Sequence, residues 1–380
     1  MRKIFSPAKH IITPHEQGAD FVELFFDLVF VYAITRITSL TADHIDPYHV
    51  IQSMLIFWLI WWGWTQFTWT LNAANTKVAE VRMVVLVATG VAFIMASSVA
   101  NAFGNGVIWF ALPYVIIRVI GIGLMVRVSA NSDAGRSRII ALSIPSLAAW
   151  IFLLIGASAN PSQRIWWWII AIAFDMLSAY LGGRVDGWDL RPKHFAERHS
   201  LIVIIALGES LIVAANAVSS HERSQTLLVV GGLALLVTCL LWWSYFSWIN
   251  EHMEEHLSRK SGVKLAQLGR TAYSLMHFPL VFGIIGIAVG FEKILTNSNV
   301  LLSLPVALTL GGGYVLFVGF TAASVWKTSN LILVPRLIIL FISSIALALS
   351  VGQPSYWALS IIAVSLILVT FIEWKKCQHA

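Results

Sequence analysis

Charge is what this sequence has least of. Only 12% of its 380 residues are Asp, Glu, Lys or Arg, about half the share of roughly 25% found in a soluble domain. That deficit excludes a soluble protein built on one apolar core. No stretch between the apolar runs is long enough for a separate soluble domain. Cysteine is also scarce: there are two, Cys239 inside an apolar run and Cys377 near the end, which excludes a disulfide framework. No lysine lies in the middle of an apolar run, so a retinal Schiff base has no anchor. No Gly-rich phosphate loop ends in Lys-Ser/Thr, and no His/Cys cluster has metal-ligand spacing. Neither a cofactor nor a resident metal is expected. His252 and His256 are spaced as in a zinc helix, but the Glu that would directly follow the first His is missing, and the segment reads as a solvated loop. The net charge of +6 is not gathered into any run dense enough for nucleic acid.

What the chain has in abundance is apolar sequence, 58% of it. A membrane-spanning helix needs ~20 mostly apolar residues, and such runs follow one another from end to end. The reading is an all-α polytopic membrane protein with about twelve spans, over 22–41, 50–71, 81–101, 107–127, 138–157, 164–183, 200–219, 226–249, 271–290, 299–325, 331–350 and 355–374. The first run, from Phe21, has no small-residue cleavage site after it and reads as a retained helix rather than a signal peptide. The tenth holds Gly311, Gly312 and Gly313, which leaves open whether it is one continuous helix.

Cytoplasmic loops collect Lys and Arg. With the N-terminus inside, three of the 25 Lys and Arg residues, namely Arg164, Arg223 and Lys293, fall outside. Arg36 and Arg118 lie within spans, and the rest fall inside. Both termini are therefore expected on the cytoplasmic side. The two halves also resemble each other. Trp61-Trp62 answers Trp242-Trp243, Arg82 answers Arg270, Leu112-Pro113 answers Leu304-Pro305, and Arg138 answers Arg336. The order is preserved, so two parallel six-helix repeats are expected: a first half over 21–183, a cytoplasmic linker over 184–198 and a second half over 199–374, with short cytoplasmic ends at 1–20 and 375–380.

A charge in the bilayer core costs on the order of 3 kcal/mol or more and marks function by default. The candidates are Glu23, Asp27 and Arg36 in the first span, Arg118 in the fourth, Asp175 in the sixth and Glu209 in the seventh, with His277 in the ninth. They either pair internally to fix helix packing or line a polar pathway for protons or substrate. At about 100° per residue, Glu23 and Asp27 share a helix face while Arg36 lies opposite, so Asp27 needs a partner from another segment. Arg118 is expected to contact Asp27, Asp175 or Glu209. Glu209, Asn216 and Ser220 fall on one face, with Gly208 offering close approach to a neighbour. The halves, aligned at an offset of 182, make Asp27 and Glu209 counterparts. Trp58, Trp62 and Trp69 form a stripe on the second span, read either as packing or as an aromatic wall for an apolar or cationic ligand. Trp166-Trp167-Trp168 reads as an interfacial belt.

Two motifs carry a resemblance. Glu23-Leu24-Phe25-Phe26-Asp27-Leu28-Val29-Phe30-Val31 resembles the opening signature of the bacterial low temperature requirement protein A (LtrA) family. Glu197-Arg198-His199 followed by Ala206-Leu207-Gly208-Glu209-Ser210 resembles its second. The resemblance covers essentially the whole chain and implies a multispanning protein of the bacterial inner membrane, required for growth in the cold. It names no molecular activity. A secondary transporter, with proton coupling as one form of its mechanism, fits the helix count and the sparse buried acids. The rivals are an intramembrane enzyme on a lipid or isoprenoid, with Glu197, Arg198 and His199 as acid–base groups, and a membrane sensor or structural protein. An enzyme is the less favoured reading. The expected partners are the lipid bilayer and a small molecule, lipid or ion that the sequence does not name.

Overall fold

The structure, a computed structural model, describes residues 11, 18–129, 133–185, 188, 190–222, 224–297 and 300–377. Most of the expected N-terminal segment 1–20 and the last residues of the tail lie outside them. Helices follow one another along the chain: α1 (Phe21–Asp43), α2 (Pro47–Ala73), α3 (Ala79–Ser97), α4 (Ile108–Ser129), α5 (Asp133–Ser158), α6 (Pro161–Gly182), α7 (Pro192–Ser219), α8 (Gln225–Phe246), α9 (Ile249–Ser258), α10 (Gly262–Leu268), α11 (His277–Thr296), α12 (Leu304–Ser329), α13 (Val334–Leu349) and α14 (Tyr356–Cys377). A π-helical stretch, Gly269–Leu275, links α10 to α11. In hydrocarbon every backbone N–H and C=O must be satisfied within the protein, which a helix does by itself. Boundaries follow ordinary chemistry. Pro161 and Pro305 open α6 and α12, where a missing N–H costs nothing. Ser224 caps α8, its side chain accepting from Leu227 N–H at 3.1 Å. Asn330 closes α12 in the left-handed region, φ 57°.

Nine helical stretches among the described residues are long and apolar enough to cross a membrane. They include α3 to α7, α12 and α14, together with the stretches Gln225–Ser258 and Gly262–Thr296. The expected count of about twelve is thus met only in part: α13 is a shorter apolar helix, and α1 and α2 fall outside the set. The span with three adjacent glycines is one unbroken helix, α12. The segment holding His252 and His256, expected as a loop, is helix α9. Its Ile249, Met253 and Leu257 are fully buried at helical spacing, and this apolar face is what orders it. Polarity is distributed as in a membrane protein. The side chains left exposed on the helices are largely apolar, such as Leu28, Ile144, Phe341 and Leu349, while Glu23, Asp27, Arg118, Asp175, Arg198, Glu209 and Arg336 are buried.

The chain divides into two compact units. Unit 1 comprises 1–37, 51–198 and 257–270; unit 2 comprises 38–50, 199–256 and 271–380. In unit 1, α3 packs on α4, α4 on α5 and α5 on α6. Arg164 and Arg270 tie helix ends there. Arg164 donates to the carbonyls of Gly156, Ala159 and Gly104. Arg270 donates to Ala179 O at 2.8 Å, and a Cβ on Gly183 would meet its guanidinium at 2.0 Å and push that side chain aside. In unit 2, α11 and α12 make the closest helix pair. A Cβ on Gly283 would lie 2.6 Å from Gly313 O, and one on Gly313 would lie 2.5 Å from Gly283 O. Small residues permit this approach in a membrane, where the hydrophobic effect does not drive helices together.

Candidate functional site: a buried charge cluster on α1, α2 and α7

Glu23 and Asp27 are one helical turn apart on α1, and His194 and Arg198 are one turn apart on α7. Residues four apart share a helix face, so an acidic pair meets a basic pair. Arg198 bridges both acids: Nη1 lies 3.1 Å from Glu23 Oε2, and Nη2 donates to Asp27 Oδ1 at 2.7 Å. His194 Nε2 lies 2.8 Å from Glu23 Oε2. All four residues are buried; Glu23, Asp27 and Arg198 are 0% exposed.

A third helix supplies the wall. Trp64, Thr68 and Asn72 follow at i, i+4 and i+8 on α2, all buried. Trp64 Nε1–H donates to Asp27 Oδ1 at 2.8 Å. Asn72 Nδ2 lies 3.1 Å from His194 Nδ1. Thr68 back-bonds to Trp64 O at 3.2 Å. The rim is tied down by backbone groups. Asp20 N–H donates to Glu23 Oε2 at 3.3 Å and Ala19 N–H to Glu197 Oε2 at 3.1 Å. Asp20's own carboxylate faces Arg82 at 3.6 Å.

The donors are unevenly shared. Glu23 Oε2 faces the N–H groups of His194, Arg198 and Asp20, while Glu23 Oε1 accepts none among the described residues. Asp27 Oδ1 accepts from Arg198 and Trp64, while Asp27 Oδ2 accepts none among the described residues. Among the described residues, each acid therefore keeps one buried oxygen without a hydrogen bond. Two carboxylates face one guanidinium, so the cluster is short of positive charge. A buried charge is costly unless it is paired, and such a site has a use for a proton.

The other sequence candidates sort differently. Arg118 pairs with Asp175, one of its three expected partners, at 3.0 Å. It donates to Tyr114 Oη at 2.5 Å and Ser146 Oγ at 3.2 Å, and Tyr114 O–H donates to Asp175 Oδ2 at 2.8 Å. This second cluster of unit 1 balances one acid against one arginine. Arg36 is half-buried on α1, and its Nε lacks a hydrogen bond among the described residues. Glu209 is buried on α7, but Asn216 and Ser220, expected along its face, are exposed, and no atom approaches a Cβ placed on Gly208. His199 is fully buried in unit 2, its ring edge-on to Tyr273 and His277. His277 lies 3.0 Å from Ala272 O through Nδ1, so that nitrogen carries hydrogen and Nε2 accepts from Tyr245 O–H at 2.8 Å.

The stripe of Trp58, Trp62 and Trp69 packs aromatic on aromatic. Trp58 stacks on Trp62 with ring centres 5.4 Å apart, and Trp69 meets Trp188 and Phe195 edge-on. The tryptophan that touches the charge cluster is Trp64, on a different face of α2. Of the expected Trp166–Trp168 belt, Trp166 is exposed, whereas Trp168 is fully buried and donates to Leu153 O at 3.3 Å.

Sequence reasoning missed His194, Asn72 and Trp64, and in unit 2 the pair Arg336–Glu373. One signal was available for His194: it stands four residues before Arg198, as Glu23 does before Asp27. Arg336 sits at a span edge, where an arginine reads as a topology signal. In the structure it is buried and grips Glu373 through two bonds of 2.8 Å.

A profile described as "Bacterial low temperature requirement A protein (LtrA)" matches residues 18–371. The match takes in every residue of the cluster. An uncharacterized protein of Rhizobium meliloti (strain 1021) is 27% identical over 320 residues, covering 80% of this chain and 76% of that protein. No solved structure matches the chain.

Proposed function

The chain belongs to the bacterial low temperature requirement A family, and from that premise we propose that it is a proton-coupled secondary transporter of the bacterial inner membrane. One observation carries the reading: two fully buried acids of the first signature share one arginine of the second, and each acid keeps a buried oxygen without a hydrogen bond. A scaffold needs balanced charge, whereas a coupling site needs a place for a proton to enter and leave. Ionisable groups inside membrane segments mark substrate and ion pathways, proton relays among them. The preserved order of motifs in the two halves of the sequence supports a parallel six-plus-six repeat, an arrangement that transporters use.

The test uses the purified protein in proteoliposomes loaded with a pH-sensitive dye and challenged with fractions of a bacterial metabolite extract. Transport predicts a fraction that moves protons with wild-type protein and not with Asp27→Asn. Turnover of a lipid in detergent, with no gradient and with no fraction active in liposomes, would overturn it. The proposed topology places both termini in the cytoplasm. Single cysteines near Asp133 and Arg191 should then be labelled only from the cytoplasm, and ones near Asn105 and Glu222 only from outside. Labelling of all four from one side would sink that orientation.

A further inference from the structure

The hydrogen bonds around His194 fix more than its position. Asn72 is clamped by the backbone of Arg191: its Oδ1 accepts from Arg191 N–H at 2.6 Å, and its Nδ2 donates to Arg191 O at 3.0 Å. Turning the amide over would set oxygen against oxygen and N–H against N–H, so its orientation is determined. The atom facing His194 Nδ1 at 3.1 Å is therefore an N–H donor. A ring nitrogen that accepts a hydrogen bond carries no hydrogen. His194 Nε2 must then carry it, and it points at Glu23 Oε2, 2.8 Å away. The imidazole is neutral.

That settles the charge of the cluster. With His194 neutral, Glu23 and Asp27 contribute two negative charges and Arg198 one positive. Among the described residues, the side chains that the hydrogen bonds and ion pairs place beside them do not correct the balance. Asp20 and Glu197 are acids, Asp20 is already met by Arg82, and Lys193 is exposed. The site-facing residues of α2, Trp64, Thr68 and Asn72, are uncharged. One negative charge is left over among fully buried side chains.

We infer that Glu23 and Asp27 together hold one exchangeable proton, and that Asn72 is the positioning residue that keeps it on the acids by denying His194 a second hydrogen. This deepens the transport reading and rests on it for its purpose. The accounting is simple. A proton taken up forms an O–H bond at one carboxylate oxygen and brings the cluster to zero charge. If instead His194 takes the proton at Nδ1, the bond to Asn72 must break, both acids ionise, and the cluster is again neutral. The clamp chooses between these two neutral states. It also makes the Asn72–His194 contact a latch: a proton can pass through the imidazole only when the amide releases Nδ1.

The experiment is made on the full-length protein in lipid nanodiscs at neutral pH. Nitrogen-15 spectra of labelled histidine, with His194 assigned by its absence in His194→Gln, read the tautomer. Infrared difference spectra in light and heavy water read protonated carboxylic acid. The expected result is a neutral His194 with hydrogen on Nε2, and a protonated carboxyl band that Glu23→Gln or Asp27→Asn removes. Asn72→Ala removes the donor without adding a charge; it should let His194 take the proton at Nδ1 as imidazolium and abolish the carboxyl band. A merely structural asparagine would lower the yield of Asn72→Ala and leave both signals in place, which overturns the positioning role. An imidazolium in the wild-type protein, or no carboxyl band from either acid, overturns the proton assignment, and the infrared arm stands even if His194→Gln fails to fold. Absence of gradient-driven transport with these signals intact would instead overturn only the transport reading.

Discussion

Two buried ion clusters, one in each unit, use the same groups to opposite effect. In unit 2, Arg336 and Glu373 are matched one to one. Glu373 Oε1 accepts from Arg336 Nε, and Oε2 accepts from Arg336 Nη2 and from Trp248 Nε1 at 3.0 Å. The same Nη2 also reaches Ser244 through its carbonyl and its hydroxyl. Both carboxylate oxygens are used and the charge closes. In unit 1, Arg198 serves two acids, each with a bare oxygen. Both sites include a tryptophan N–H and a guanidinium, so residue type does not separate them. What separates them is the ratio of acids to arginines and the satisfaction of each oxygen. The Arg118–Asp175 cluster sides with the closed type by its charge, one acid to one arginine: Tyr114 donates to Asp175 Oδ2, and Oδ1, without a hydrogen bond among the described residues, faces Arg118 Nη1 at 3.0 Å. A closed cluster locks helices, and an open one has somewhere for a proton to go.

Removing the shared arginine should have the largest effect. Arg198→Ala strands two buried carboxylates, and taking one partner from a buried pair already costs about 3–5 kcal/mol. We expect loss of folded protein at neutral pH and partial recovery of yield on acidification, because protons can then neutralise the stranded acids. Size-exclusion profiles of detergent extracts across pH check this. A well-folded variant at neutral pH would mean that the acids were already neutral without Arg198.

Arg336→Ala comes next, at about 3–5 kcal/mol, since it strands one carboxylate that keeps Trp248. Replacing both partners, Arg336→Met with Glu373→Leu, should return most of that loss, because apolar residues of similar volume often substitute for a closed pair at no net cost. Arg118→Ala should fall slightly below, as Tyr114 still satisfies Asp175 Oδ2. Thermal unfolding midpoints in one detergent rank the three arginines. An order in which Arg118 exceeds Arg198 would break the distinction between open and closed sites.

How much of this was legible in the sequence depends on distance along the chain. Charges inside apolar runs revealed Asp27, Arg118, Asp175 and Glu209, and helical angle put Glu23 beside Asp27; those are local signals. The partners are not local. His194 and Arg198 each stand 171 residues from the acid they meet, and Glu373 lies 37 from Arg336. No periodicity links such positions. Arginines at span edges read as loop charge, so Arg164 and Arg336 read for topology and Arg198 as part of an interface motif, whereas the structure buries all three as ties between elements. The polar stripe of α2 was hidden by its neighbours, because seven aromatic residues between Phe57 and Trp69 obscure which one meets a carboxylate.

The smallest change is the most discriminating. Glu23→Gln and Asp27→Asn each replace a carboxyl by an amide of the same shape. In a closed cluster that swap removes charge from a satisfied pair. Glu373→Gln should therefore cost about 1.5–3 kcal/mol, the worth of hydrogen bonds to a charged group. In the open cluster the same swap removes the surplus charge. The amide oxygen can still accept at the occupied position, and the NH2 stands where the bare oxygen was, much as a protonated acid would place its hydrogen. Two effects then oppose each other: relief of the surplus charge, and an NH2 with no acceptor, itself a cost of about 1–3 kcal/mol. The expected net change is within about 1 kcal/mol of zero, smaller than that of Glu373→Gln in the same detergent. Unfolding midpoints of the three amide variants, measured side by side, check the ordering. Equal losses at all three positions would show that Glu23 and Asp27 are held as fully charged acids, and the open cluster would then be a lock like the other.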